Sequence, residues 1–458
     1  MTTSEYPMLV GSLRASFNSG KTSDIEWRIA QLRQVIKFCR EQENALAKAV
    51  FDDLRKPRQE AVVTDIQVNV AEAEYALRNL KDWARPLRAA VPLALQPASA
   101  EVRYEPYGVA LIIGAWNYPV QLVIQPLVAA LSAGNCALIK PSELAPATAA
   151  TLARLLPEYL DPECVAVVEG GVAETTALLE QRFDKIFYTG NGRVGRIVMG
   201  AAARHLTPVS LELGGKSPAI VDETGDMDQI GRRLVWGRFL NAGQTCVAPD
   251  YVLIKRERRD ALVESLRKAI KEFYGEQPQA SPDLARVVNE RHFEWLLALL
   301  EGHQIAIGGE HDASDRYLSP TVVTDPDPES PLMQDEIFGP ILPVLAFDGI
   351  DEAIAFINGR DKPLSLYVFS RNTDTQRRVI DSTRSGGVVV NDSVVHLGCL
   401  ELPFGGVGES GMGSYHGFHG FEAFSTKRAV MTRATFIDPP LRYPPYSESK
   451  LRWIKRLL

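Results

Sequence analysis

Between residues 24 and 54 apolar side chains recur at helical intervals. Leu32, Val35, Ile36 and Cys39 fall three and four positions apart, the spacing that gathers them on one face. Ser23 followed by Glu26 has the reciprocal capping pattern of a helix start, and Gly20 supplies the break before it. From about residue 101 short β-rich runs alternate with helical stretches. The pattern predicts strands over 109–114, 136–140, 165–169, 185–188 and 209–213. It predicts helices over 120–132, 145–155, 174–180 and 194–204. Regular alternation of this kind implies parallel strands joined by crossover helices, hence a doubly wound α/β domain. A second α/β series begins near Lys216, with strands over 218–221 and 251–255 and helices over 227–240 and 260–273.

The C-terminal end differs. Arg442-Tyr-Pro-Pro-Tyr446 is incompatible with regular helix. Beyond it, Leu451, Ile454 and Leu458 share one helical face, flanked by Lys450, Arg452, Trp453, Lys455 and Arg456. A basic amphipathic segment of this kind docks on its own protein or a dimer mate, or lies on an anionic membrane surface; it is too short to span one.

At 458 residues the chain exceeds a single ordinary core, so two or more domains are expected. With 45% hydrophobic and 23% charged residues it is a globular composition, and a net charge of −7 gives no basic excess for a nucleic-acid partner. No run reaches the ~20 consecutive apolar residues of a spanning helix, and the N-terminus has no basic-then-apolar leader. Five cysteines are too few and odd in number for a disulfide framework, which points to a reduced, cytoplasmic compartment.

Several segments carry candidate chemistry. Asn241-Ala-Gly-Gln-Thr-Cys246 puts a thiol after a glycine-bearing turn at a helix end; taken alone, such a cysteine is more often a small core residue than a nucleophile. Leu211-Glu-Leu-Gly-Gly215 ends a predicted strand with a carboxylate that is costly to bury unpaired. Gly190-Asn-Gly-Arg-Val-Gly195 matches G-x-G-x-x-G between a strand and a helix, where backbone N–H groups can face a phosphate; a plain tight turn is the alternative. The acid about twenty residues on, which would bind a ribose, is Glu212. Its rival is Glu143, in Leu138-Ile-Lys-Pro-Ser-Glu143, where Lys140 and Glu143 could grip ribose hydroxyls together or form a mere surface pair. Asn117, in Ala115-Trp-Asn-Tyr-Pro119, could donate to a developing oxyanion or close an Asx-turn.

In order, and over residues 24 to 434, these motifs resemble the aldehyde dehydrogenase superfamily. The likeness continues in Glu336-Ile-Phe-Gly-Pro340 and Pro403-Phe-Gly-Gly406. Gly243-Gln-Thr-Cys-Val-Ala-Pro249, Val390-Asn-Asp392, His396, Tyr415-His-Gly417 and the Arg-Tyr-Pro-Pro-Tyr tail are similar to the class 3 branch. The resemblance implies a Rossmann-like cofactor domain over 1–87 and 107–212, a second α/β catalytic domain over 213–410, oligomerisation strands over 88–106 and 428–438, and a tail over 439–458.

It also implies an activity: oxidation of a medium- or long-chain aliphatic, or aromatic, aldehyde to the carboxylic acid with NAD, NADP being possible, by a homodimer. The nucleophile falls on Cys246, the general base on Glu212, and the oxyanion donors on Asn117 and the Cys246 N–H. Cofactor contacts fall on Trp116, Lys140, Ser142, Glu143, Gly190, Asn191, Gly195, Leu213, Glu336 and Phe338. Alternatives are a CoA-acylating relative, against which Glu212 argues, and a non-catalytic protein on the same scaffold. Asn191 and Gly192 stand where the family usually has small hydroxyl residues, and His419 and Gly420 also depart from it. Cys399, His416 and His419 are too poorly spaced to suggest a metal. A free cysteine is only ~3% thiolate at neutral pH, so activation by the site or a nearby base is expected.

Overall fold

A computed structural model describes residues 3–457. Its first sheet runs, in spatial order, through Gly411–Met412, Val209–Glu212, Lys185–Thr189, Val109–Ile113, Cys136–Lys140 and Val165–Val167. All neighbours are parallel except Gly411–Met412, which is antiparallel to Val209–Glu212. The three central strands are buried along their whole length. Side-chain alternation divides their residues between two cores. Ala110 and Ile112 meet helices Ile25–Glu41, Val68–Trp83 and Gln121–Ala133, while Val109, Leu111 and Ile113 meet Tyr6–Asn18, Val172–Leu179 and Gly192–Ala203.

The second sheet runs through Ile305–Ile307, Thr321–Thr324, Ile341–Phe347, Tyr251–Lys255, Pro218–Val221, Ser365–Phe369 and Gly387–Val390. Only its Ile305–Ile307 edge is antiparallel. A third, antiparallel sheet joins Leu87–Ala89, Ala98–Pro106 and Ser425–Arg433. The doubly wound α/β class, the second α/β layer and a small β extension are therefore all present.

Several local expectations are corrected. The segment 24–54 is two helices, Ile25–Glu41 and Glu43–Leu54, interrupted at Gln42, whose side chain donates to the Tyr159 hydroxyl at 2.8 Å. The cap is Asp24, which accepts from Glu26 N at 3.0 Å; Ser23 lies in the preceding turn. Helix Tyr6–Asn18 and the helical run from Arg58 to Trp83 were not foreseen. The third strand of the small sheet begins at Ser425 and ends at Arg433, not over 428–438. After residue 410 the chain rejoins the first sheet. Helix Gly417–Ala423 then packs on Gln121–Ala133, and a Cβ at Gly420 would sit 3.0 Å from that of Ala129, which explains a glycine there. The tail forms helix Glu448–Leu457 beside the turn Leu93–Leu95; Leu458, expected on its apolar face, lies outside the described residues.

Candidate active site

Strands 109, 136 and 165 follow one another outward, but strand 185 returns to the other side of strand 109. That reversal opens a crevice at the carboxyl ends of the strands, where α/β sheets bind ligands. A cavity of about 490 Å³ lies there. The first sheet contributes Trp116 and Asn117 after strand 109, Lys140, Ser142 and Glu143 after strand 136, Gly190 and Asn191 after strand 185, and Glu212 and Leu213 after strand 209. The second sheet closes it from its amino ends, with Cys246 before strand 251 and Glu336 and Phe338 before strand 341. One sequence-expected residue, Gly195, is not in the lining: it lies in the first turns of helix Gly192–Ala203, where a Cβ would come 3.0 Å from the Leu213 side chain. The missing side chain lets that helix close on Leu213.

The thiol is presented by an unusual turn. Helix Met227–Phe239 ends, and Asn241, Ala242 and Gly243 follow with φ of 52°, 52° and 76°. Left-handed backbone costs ~1–3 kcal/mol at a non-glycine residue, so the surroundings must hold it. They do: Asn241 N donates to Glu60 at 2.8 Å, and the Gln244 amide bridges Asn241 O at 2.9 Å and Arg286 O at 3.0 Å. A Cβ at Gly243 would lie 2.2 Å from Gly339 O, so only glycine fits the closest approach.

Cys246 is half-buried, and burial pushes its thiol up to about 12; Glu336 and Glu212 push the same way, against the Cys246 and Val247 N–H groups. The titratable groups acting on the thiol are acids rather than the cation that would hold a thiolate. Burial also raises Glu212 well above the usual carboxylate range and pushes Glu336 up to about 8. Both Glu212 oxygens, one of Glu336 and the Thr189 hydroxyl are buried with no hydrogen-bond partner. Buried polar groups are normally paired, so orphans gathered in one crevice mark places for a ligand or water.

Other side chains are held firmly. Asn117 Nδ2 donates to Gln244 O at 3.1 Å, which leaves its second amide hydrogen free. The buried Lys140 ammonium donates to Glu143 at 2.7 Å. Asn191 caps helix Gly192–Ala203 by accepting from Val194 N at 3.0 Å, so its side-chain oxygen is already committed. A Cβ at Gly190 would meet the Tyr188 hydroxyl at 2.2 Å, and one at Gly214 would meet the Glu336 carboxylate at 2.0 Å; both glycines are set by close approach. Lys216 donates to Asp250 at 2.7 Å and to Leu332 O and Asp335 O at 2.8 Å, fixing the loop that carries Glu336.

Sequence reasoning missed His292 and Thr189, which also line the cavity. Burial lowers the pKa of the His292 imidazole, and its Nε2 pairs with Phe338 O at 2.7 Å while Phe338 and His292 both pack edge-on against Trp116. The only sequence signal for it is Asn289, which caps the helix at His292 N.

The crossover topology and this crevice define an α/β protein with a ligand site at the switch point of its first sheet. The aldehyde dehydrogenase family profile matches residues 2–430. Aldehyde dehydrogenase family 3 member A2 of Mus musculus is 50% identical over 448 residues, covering 97% of this chain and 93% of the relative. Family 3 member H1 of Arabidopsis thaliana is 47% identical, covering 99% and 95%. Among solved structures, substrate-bound Staphylococcus aureus AldH matches with a TM-score of 0.96 at 43% identity, over 98% of each chain. The chain belongs to the aldehyde dehydrogenase family, and it is an NAD(P)-dependent enzyme that oxidises an aldehyde to its acid.

Proposed function

We propose that Cys246 is the nucleophile, Glu212 the general base, and Asn117 with the Cys246 N–H the oxyanion donors. The observation that carries this is that all three side chains line one crevice, with both Glu212 oxygens buried and unpartnered. Glu212 is the group able to take a proton from the thiol, release it to solvent, and then take one from water. The thiolate attacks the carbonyl carbon, and the oxyanion accepts a hydrogen bond from the free Asn117 N–H. Bound NAD(P)⁺ supplies the hydride acceptor. The remaining thioester is attacked by water that Glu212 deprotonates, so transfer to CoA is not needed.

The residues present fit such a cofactor. Lys140 and Glu143 serve the adenosine ribose, Gly190, Asn191, Ser142 and Leu213 the groove beside it, and Trp116, Glu336 and Phe338 the nicotinamide end. Glu143 would repel a 2′-phosphate while Lys140 offsets part of that repulsion, so NAD is preferred and NADP tolerated. We assign medium- to long-chain aliphatic and aromatic aldehydes as substrates; an NADH-coupled screen across chain lengths and ring aldehydes, run with both cofactors, tests this. A flat profile would reject it.

The reading includes a cytoplasmic homodimer. Ser425–Arg433 is a nine-residue edge strand, and long unpaired edges invite a partner. On the tail helix Leu451 and Trp453 stay 43% and 56% exposed, so its own protomer leaves them uncovered and a second protomer is the favoured cover. No helix among the described residues is long and apolar enough to cross a membrane. Light scattering tests the dimer. Vesicle flotation against a chain ending at Tyr446 tests the competing membrane contact: equal flotation removes it.

A further inference from the structure

Behind the crevice lies an ion pair for which stability gives no reason. Lys56 and Asp65 are both 0% exposed and pair at 2.6 Å. A buried pair of this kind is often no more stabilising than apolar side chains of similar size. Asp65 lies within Val62–Gln67, a π-helical turn between helices Arg58–Ala61 and Val68–Trp83. Such turns are found mostly at functional sites. The wide turn is itself secured, for Asn69 Nδ2 donates to Asp65 O at 2.6 Å. The second Asp65 oxygen accepts from Val120 N at 3.3 Å, at the start of helix Gln121–Ala133.

The ammonium points at the catalytic wall. Lys56 Nζ donates to the main-chain carbonyl of Asn117 at 2.9 Å and sits 3.9 Å over the Tyr118 ring, whose hydroxyl pairs with Thr245 Oγ1 at 2.6 Å. The same Asn117 carbonyl accepts from Asn241 Nδ2 at 2.8 Å, and Asn241 Nδ2 also reaches Gln244 O at 3.2 Å. Gln244 O in turn receives the Asn117 side chain. The ring of contacts is closed: both donors to the Asn117 carbonyl are buried, and one of them belongs to the turn that presents Cys246.

We propose that Lys56, oriented by Asp65, is a positioning residue for the oxyanion hole: it clamps the Asn117 main chain so that the one free amide hydrogen faces the carbonyl oxygen of the substrate bound at Cys246. The proposal rests on Asn117 being an oxyanion donor. Small misplacements of a catalytic group can cost about 10²-fold in rate.

The test is a double-mutant cycle on the full-length enzyme. Lys56→Met should lower kcat by about 10- to 100-fold and leave two readouts unmoved: NADH affinity by fluorescence titration, and the rate of iodoacetamide alkylation of Cys246. In an Asn117→Ala background the same change should cost less than about threefold more. Lys56→Met leaves Asp65 buried and unpaired, so Lys56→Met with Asp65→Asn is made alongside; it removes both charges, keeps an acceptor for Val120 N, and should show the same fall in kcat. Losses that multiply in the cycle, or a folded double-neutral variant with wild-type kcat, overturn the proposal while leaving the role of Asn117 intact. A wild-type rate for Asn117→Ala alone removes the reading beneath it.

Discussion

The two large sheets are built by the same rule, parallel strands with crossover helices, yet they meet the crevice in opposite senses. The first offers its carboxyl ends; the second offers its amino ends, through the segments just before strands 251 and 341. The far, carboxyl end of the second sheet is held mostly by its own bonds, although the Arg258 Nε there is buried without a partner. There Asp222 accepts from Thr224 N at 2.8 Å, from Thr224 Oγ1 at 2.6 Å and from Ser370 Oγ, while Asn391 accepts from Ser370 N at 2.8 Å. At the first sheet's carboxyl end Thr189, Glu212 and, across the gap, Glu336 keep buried oxygens without partners. Parallel topology provides a place for a ligand, and at the first sheet's end a cavity lined by unpaired acids marks it as the one used.

This contrast can be broken from either side. The largest effect belongs to Cys246→Ser, which should lower steady-state NADH formation by at least about 10³-fold while cofactor affinity, read by fluorescence titration, stays within about twofold. Glu212→Gln should lower kcat by about 10²–10⁴-fold. Its pH profile sharpens the point. Burial raises the Glu212 pKa, so the base is lost as pH falls, and activity should climb with pH over a range above that of an ordinary carboxylate. That limb should disappear in the Gln variant; its survival would assign the base elsewhere. Asn117→Ala should cost about 10²–10³ in kcat. Smallest in rate is Asp222→Ala, at the sealed end: a loss of about 1–3 kcal/mol in unfolding free energy by chemical denaturation, with kcat/KM unchanged. A large kinetic effect there would erase the distinction between the two ends.

What could be read from the chain follows from what is local. Strands 136–140, 218–221 and 251–255 stand where the pattern placed them, because short apolar runs between turn residues specify their own limits. Motifs tied to strand ends, such as Glu143 after strand 136 and Glu212 at the end of strand 209, arrived in the crevice for the same reason. The misses are contacts made at a distance. The packing of Gly195 on Leu213 and the capping of its own helix by the Asn191 side chain are contacts that motif spacing alone does not show. His292 reaches Phe338 from 46 residues away, and Lys56 reaches Asn117 from 61. At the break, the Gln42 side chain bonds to Tyr159, which no window around residue 42 contains.

The covalent intermediate offers the most direct test. Wild-type enzyme is mixed with cofactor and one aldehyde, quenched in acid on the millisecond scale within the first turnover, before hydrolysis, and mapped by peptide mass. The account predicts an adduct on Cys246 whose mass is that of the aldehyde less two hydrogens, the signature of an acyl thioester formed after hydride loss. NADH released in stoichiometric amount with no adduct, or an adduct on another side chain, would contradict it.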